Sequence, residues 1–292
     1  MIEVKAASTT HPHIAAAIRS ELLTRPVADA TLLDVGCGNG QLLAYLALTL
    51  PAVRELHGYD VADSGHVVGG FPETTIATLQ GAAPAHNWAV RIQAGVVGKP
   101  WPYPDDFFDV VCSNQVVEHV FDLDTFFREL QRTLKPGGVS VHVFPFRRVV
   151  WEAHTAMPLA HRFRDNDTRA AVIRLWSRLG LGRFAQYRKR MDFDEYVDLS
   201  TDLIQFACCH RSWPEIAATA RAAGLRASRR FTSEYYRQKV RAVRGQPPVE
   251  TYERRPPFVE AIAAELLTTI ASGTVVLEKP TTYQPWDEQA IG

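Results

Sequence analysis

Residues 32–40 read Leu-Leu-Asp-Val-Gly-Cys-Gly-Asn-Gly, an apolar run that passes directly into a turn of three glycines. Leu32, Leu33 and Val35 suit a strand buried in a parallel sheet. Gly36, Gly38 and Gly40 strip the following turn of side chains, so a ligand can lie against bare backbone. Gln41 to Leu46 then has helical composition and spacing. Strand, bare turn and helix in that order predict an α/β chain whose ligand lies outside the carboxyl edge of its sheet.

The glycine spacing separates two ligand classes. A dinucleotide turn of the form G-x-G-x-x-G places its third glycine where a pyrophosphate can reach the helix N-terminus. Here that glycine comes one residue early and Gln41 occupies the required position, which disfavours an NAD-dependent oxidoreductase. A second strand ends in Leu56-His57-Gly58-Tyr59-Asp60, and Asp60 falls twenty residues past Gly40. A carboxylate at that place can accept hydrogen bonds from both hydroxyls of a ribose.

A third block runs from residue 100 to 138. Pro100-Trp101-Pro102-Tyr103-Pro104-Asp105-Asp106-Phe107-Phe108-Asp109 precedes the apolar Val110-Val111-Cys112. Ser113-Asn114-Gln115-Val116-Val117-Glu118-His119-Val120 follows, and Leu134-Lys135-Pro136-Gly137-Gly138 closes the block. It predicts a turn, a buried strand, a helix over about 121–133 that stops at Pro136, and a strand over 139–143. With the glycine turn and Asp60, the blocks span about 110 residues and resemble the class I S-adenosylmethionine-dependent methyltransferases, particularly the small-molecule type 11/12-like domains. The resemblance implies a Rossmann-like doubly wound fold, with seven mostly parallel strands and a helical cap inserted after the fifth. It implies S-adenosyl-L-methionine as cofactor, S-adenosyl-L-homocysteine as product, and donor contacts from Asp34, Gly36, Cys37, Gly38, Gly40, Asp60, Val61, Gly95, Val96, Ser113, Asn114 and Gln115. Many relatives carry an acidic residue after the third strand for the adenine amino group, whereas Gln93-Ala94-Gly95-Val96-Val97-Gly98 has none. Adenine is then expected to be read by backbone and by a slot involving Ala94, Gly95 or Val96.

The expected organisation is a helical lead-in at 1–30, a donor-binding core at 31–146, a helical cap at 147–212 and a sheet completion at 213–292 with a helical excursion at 232–272. About 65 residues separate the predicted fifth strand from the helix opening at Trp213, too many for a structureless loop. Val172, Ile173, Leu175, Trp176 and Leu179 recur there at helical spacing, either a seam packed on the domain or a membrane-surface face. Between Arg147 and Arg190 eleven basic residues face only Glu152, Asp165 and Asp167. That bias reads as a solvated face or as a basic lid over an anionic or amphiphilic acceptor. Arg226 to Phe231 is expected as the sixth strand and Gly273 to Lys279 as the last, antiparallel one.

Methyl transfer needs an aligned nucleophile, excluded water and, for a hydroxyl acceptor, a base. His154 and His119 are the candidate catalytic residues, with Glu152, His161 and Arg147 as substrate contacts. Glu118, His119, Glu152, His154 and His161 suit a metal by donor type, but no ligand spacing supports one and none is assigned. His11 and His13 are expected at the surface. Cys37, Cys112, Cys208 and Cys209 include no C-x-x-C pair and read as free thiols in the cytoplasm. The 32 basic and 32 acidic residues balance, and no Asn/Asp-Pro-Pro-Tyr motif follows the fourth strand, so no nucleic-acid partner is expected. No apolar run reaches the roughly 20 residues needed to cross a bilayer. The expected partner is a small-molecule acceptor, most simply a hydroxylated natural product, sugar or lipid precursor that is O-methylated. N- or C-methylation, a non-catalytic donor-binding subunit and a homodimer stay open.

Overall fold

The computed structural model describes residues 6–25, 27–61 and 70–281. The ends of the expected lead-in (1–5) and sheet completion (282–292) lie outside the described residues. In chain order, α1 (Thr10–Leu23) leads to β1 (Ala30–Val35), α2 (Gln41–Thr49) and β2 (Val53–Val61). Then come α3 (Glu73–Ala82), α4 (Trp88–Arg91), β3 (Ile92–Gly95) and β4 (Phe108–Asn114). A short 3-10 turn (Val117–His119) precedes α5 (Leu123–Thr133) and β5 (Leu134–Phe144). The next segment holds β6 (Trp151–Glu152), β7 (Met157–Pro158), a 3-10 turn (Ala160–Arg162), α6 (Asn166–Arg178), α7 (Phe184–Tyr187) and α8 (Phe193–Phe206). The chain closes with α9 (Trp213–Ala222), β8 (Arg226–Ser228), α10 (Thr232–Val243), α11 (Pro257–Leu267) and β9 (Gly273–Glu278).

One seven-stranded sheet runs in the order β3-β2-β1-β4-β5-β9-β8, parallel except for β9, which is antiparallel to both neighbours. Successive side chains of a strand point to opposite faces, and here both faces are buried. Leu32, Val110, Val141 and Val276 pack with Ile14, Ile18, Leu43 and Leu46 of α1 and α2. Leu33, Val111, Val275 and Leu277 pack with Phe127, Leu130, Ile216 and Ala220 of α5 and α9. The near-continuous apolar runs of the strands follow from that double cover.

Four expectations change. The helix after β4 ends at Thr133, and Leu134 is already extended, so Pro136 lies inside β5, whose opening residues are offset by a register shift opposite Phe108 and Val110. The sixth strand stops at Ser228, because Arg229 and Arg230 turn off to Glu265 and Glu21 before Phe231 enters the core. The apolar stripe of α6 does not seat on the domain. Ile173 packs with Tyr196, Val197 and Ile204 inside the inserted segment, while Leu175 and Leu179 stay exposed. His11 and His13 are buried, and His13 hydrogen bonds to Tyr252 and Thr274 through its two ring nitrogens at 3.0 and 2.8 Å.

Candidate functional site

At the carboxyl end of β1 the backbone N–H groups of Gly36 and Cys37 donate to the Tyr59 carbonyl at 2.7 and 3.2 Å, tying the glycine turn to β2. Gly36 has φ +71°, and a Cβ there would stand 2.4 Å from Val116 Cγ2, so the chain must be bare for packing. Gly38, at φ +50°, is bare for another reason: a Cβ would meet nothing within 4 Å, so its backbone borders open space. No side chain caps the N-terminus of α2 at Gly40. The Gln41 amide has only a long bond, 3.4 Å, to Asn39 Oδ1.

Asp60 closes the cradle. Its Oδ2 accepts from Gly38 N and its Oδ1 from Val61 N, both at 2.8 Å. Each oxygen keeps a further lone pair for a ribose hydroxyl. Register sets Asp60 beside Ala94 and Val61 beside Gly95, which puts the Asp60 carboxylate next to the expected adenine slot. A Cβ on Gly95 would lie 2.0 Å from the Tyr59 hydroxyl, and Val96 beyond it is half exposed. Asp34 is buried with Oδ2 unpartnered, and burial followed by the charge of Asp60 raises its carboxyl well above the ordinary range. Asn114 ends β4 with a buried, unpartnered Oδ1.

Three expected donor contacts are narrowed. The Cys37 and Ser113 side chains point into the protein, Cys37 toward Gly58 and Ser113 onto His142 Nδ1 at 2.7 Å. Only their backbone remains for a ligand. Gln115 sits at φ +56° with its amide on the Val143 carbonyl and Ser272 Oγ.

Beyond β4, three segments converge. Cys209 N donates to the Glu118 carbonyl, and the Arg211 guanidinium donates to the carbonyls of Val117, Val120 and Phe121. These bonds stitch the end of the inserted segment to the turn carrying His119. His119 Nδ1 lies 2.6 Å from the Ala207 carbonyl. A carbonyl only accepts, so Nδ1 bears a proton, and in the neutral form of the ring the lone pair lies on Nε2.

The His154 ring stands edge-on to His119, centroids 5.0 Å apart. Its Nδ1 is 2.7 Å from Glu152 Oε1 and 3.6 Å from Cys208 Sγ. Cys208 and Glu152 push the His154 imidazole up to about 10. Glu152 is fully buried, and although burial favours its neutral form, His154 and Thr155 draw it down to about 2. Both of its oxygens are engaged, Oε1 by His154 and Oε2 by the amide and hydroxyl of Thr155. It is therefore a positioning residue and not a surface a substrate can touch. Glu118 is also fully buried, with neither carboxyl oxygen partnered, and burial pushes it up to about 8. An unpaired carboxyl in such a place holds its proton at neutral pH.

His119, His154 and Cys208 each offer one donor atom within 4.8 Å of the others. Protonated His154 donates within this trio, and a cation held there would have to displace that proton. An open cleft of about 770 Å³ adjoins it, with Cys208, His161 and His210 on its wall. His161 lies 3.2 Å from the Arg147 carbonyl and its ring stacks on His210 at 4.5 Å; burial lowers both imidazoles. Arg147 reaches the cleft while pairing with Glu215. The structure thus brings His119, His154 and Glu152 together and sets His161 and Arg147 at the cleft beside them. Sequence reasoning missed Cys208 and Arg211, and reached Arg169 only as one of the eleven basic residues between Arg147 and Arg190. The dense run Cys208-Cys209-His210-Arg211 at the end of the insertion was the available signal.

The bare backbone at Gly38, the lone pairs of Asp60 and the unpartnered Asn114 Oδ1 suit a ligand with an amino-acid end and a ribose, as S-adenosylmethionine has. A family model described as a methyltransferase domain matches residues 9–188. A ubiquinone biosynthesis O-methyltransferase of Paramagnetospirillum magneticum is 37% identical over 121 residues, 41% of this chain and 43% of that protein. A 2-phytyl-1,4-naphtoquinone methyltransferase of Synechococcus elongatus is 32% identical over 107 residues, 37% of this chain and 42% of that protein. The chain thus spans less than half the length of these curated relatives. A solved S-adenosylmethionine-dependent methyltransferase from Mesorhizobium loti superposes with TM-score 0.47 at 15% identity, over 90% of this chain and 98% of that one. With the family model covering well over half of its residues, the chain belongs to the methyltransferase-domain family, among the class I S-adenosylmethionine-dependent methyltransferases.

Proposed function

We propose that the protein O-methylates a hydroxyl of a small molecule, with residues 31–146 binding the donor and 147–212 covering the acceptor. The observation that carries this reading is the Ala207 carbonyl on His119 Nδ1, which fixes a proton there and so makes Nε2 the basic nitrogen of the neutral ring, just past the end of β4. The O-methyltransferase names of several relatives support it. S-adenosylmethionine, when bound, supplies a methyl group already activated as a sulfonium. Gly36 to Gly40 and Asp60 are the residues to hold it, through backbone groups and the ribose-facing carboxylate.

The side chains then have two tasks. His119 Nε2 takes the hydroxyl proton, a contribution of about 10²–10⁴-fold in rate for a placed base. His154, kept charged by Cys208 and Glu152, is a fixed positive neighbour that favours the developing oxyanion. This assigns the base to His119 and an electrostatic role to His154, since an imidazolium held near 10 cannot accept a proton at neutral pH.

A screen with radiolabelled methyl donor against hydroxylated metabolites tests the proposal. His119→Gln should bind S-adenosylhomocysteine as the wild type does and lose transfer by at least about a hundredfold. Full turnover in that variant would remove the base. Tight S-adenosylhomocysteine binding without transfer to any acceptor would favour a non-catalytic partner subunit.

A further inference from the structure

The cleft beside His154 carries positive charge that the protein does not neutralise. Six arginines line it: Arg147, Arg148, Arg162, Arg164, Arg169 and Arg211. Arg147 pairs with Glu215, and Arg148 with Glu265. The other four make no ion pair among the described residues. Arg211 donates to four backbone carbonyls and to no carboxylate among the described residues, and Arg162 donates to the Arg148 carbonyl. Arg169 is buried, with its donors on the Phe163 carbonyl and Asn166 Oδ1. Its nearest counter-charge, Asp165, is engaged as the N-cap of α6. Arg164 is exposed and makes no hydrogen bond or ion pair among the described residues.

On the far side of the sheet, by contrast, three arginines converge on one buried carboxylate. Arg25, Arg230 and Arg254 all contact the buried Glu21. On the cleft wall the carboxylates are Asp124 and the already paired Glu215. Because burial keeps His161 and His210 neutral, the field comes from guanidinium groups that stay charged at any accessible pH. A low-dielectric concavity lined by one sign of charge concentrates ligands of the other sign, and guanidinium suits carboxylate or phosphate bidentately.

The cleft is linked to the histidine pair through one side chain. Cys208 lies on its wall and contacts His154, whose ring meets His119. A volume of about 770 Å³ fits a drug-sized molecule. We propose that the methyl acceptor carries a carboxylate or phosphate group, seated among Arg162, Arg164, Arg169 and Arg211, while its hydroxyl reaches His119. The inference rests on the methyl-transfer reading and adds the charge of the substrate to it.

The test uses inorganic pyrophosphate as the probe, titrated calorimetrically at low ionic strength into the whole protein with S-adenosylhomocysteine present. Wild type should bind it, and Arg162→Gln/Arg164→Gln, which changes two exposed side chains, should bind it about tenfold more weakly. Arg188→Gln/Arg190→Gln removes equal charge outside the cleft and should leave affinity unchanged. Radiolabelled products formed from a metabolite extract should be retained on an anion exchanger. Failure of pyrophosphate to bind while S-adenosylhomocysteine binds normally would overturn the anion site alone. Failure of S-adenosylhomocysteine itself would overturn the methyl-transfer reading beneath it. Equal weakening by both double variants, or labelled products that are all neutral or cationic, would also refute the assignment. So would flotation with phosphatidylglycerol vesicles that depends on Arg162 and Arg164 and survives saturating pyrophosphate, since the arginines would then face a membrane.

Discussion

Replacing Glu118 by glutamine tests the electrostatics of the cluster without reference to any substrate. In the folded chain this carboxyl is pushed up to about 8 by burial, against an ordinary value of 4.5. As pH rises between those values the unfolded chain releases a proton that the folded chain retains, so ionisation pulls toward unfolding. The stabilisation associated with Glu118 is therefore complete below 4.5 and gone above about 8. Within that window each pH unit costs the wild type about 1.4 kcal/mol relative to a side chain that does not titrate. From about pH 5 to about pH 7.5 the difference grows by about 3 kcal/mol, or about 6 °C in Tm for a chain of this size. Glutamine is nearly isosteric, and any fixed penalty for burying its amide shifts all pH values alike. Scanning fluorimetry of both proteins across this range reads the change in the gap between their Tm values. The Glu118→Gln variant should gain steadily on the wild type as pH rises. A gap constant to within about 1 °C would refute the buried neutral acid.

The remaining expectations address donor, cap and cluster. Gly36→Ala should unfold the turn region, since its Cβ strikes Val116 at a backbone angle that costs a side chain about 1–2 kcal/mol, whereas Gly38→Ala should retain the fold and lose S-adenosylhomocysteine affinity; circular dichroism and calorimetry separate the two. Asp60→Ala should weaken S-adenosylhomocysteine by about 1–3 kcal/mol, and an unchanged affinity would exclude its ribose role. In Glu152→Gln the NMR titration midpoint of His154 should fall by about one unit or more, because the fixed negative partner is gone; an unmoved midpoint would assign the shift elsewhere. Dialysis against a chelator should leave both S-adenosylhomocysteine binding and methyl transfer unchanged, and a loss restored by added metal would show that His119, His154 and Cys208 hold a cation.

The parts of this fold that were legible in the sequence are those where local chemistry and global structure agree. The run from Leu32 to Gly40 carries its own strand, turn and helix start, and Asp60 follows at the distance set by one helix and one strand. Register then does the rest, since a parallel sheet in this order brings residues 34, 60, 94 and 114 to one edge. The histidines at 11 and 13 resisted reading because an imidazole next to a proline near the chain start resembles a surface group. The burial of His13 depends on Tyr252 and Thr274, more than 230 residues away. The stripe on α6 failed for a related reason. Helical periodicity shows that a face is apolar, but the partner was α8 within the same insertion, and Leu175 and Leu179 found none. His154 was legible as a candidate but not as a cation, because its charge depends on Cys208, 54 residues downstream, as well as on the nearby Glu152.

The carbonyl that orients His119 belongs to Ala207, at the point where the insertion leaves α8 to rejoin the core. The tautomer of His119 is thus set by a residue of the inserted segment and not by the sheet edge beside the histidine. If that segment swings away, the ring loses its lock, and either nitrogen can then carry the hydrogen. On the proposed reading, the cover of the acceptor site and the tautomer of the base are thus set through a single hydrogen bond.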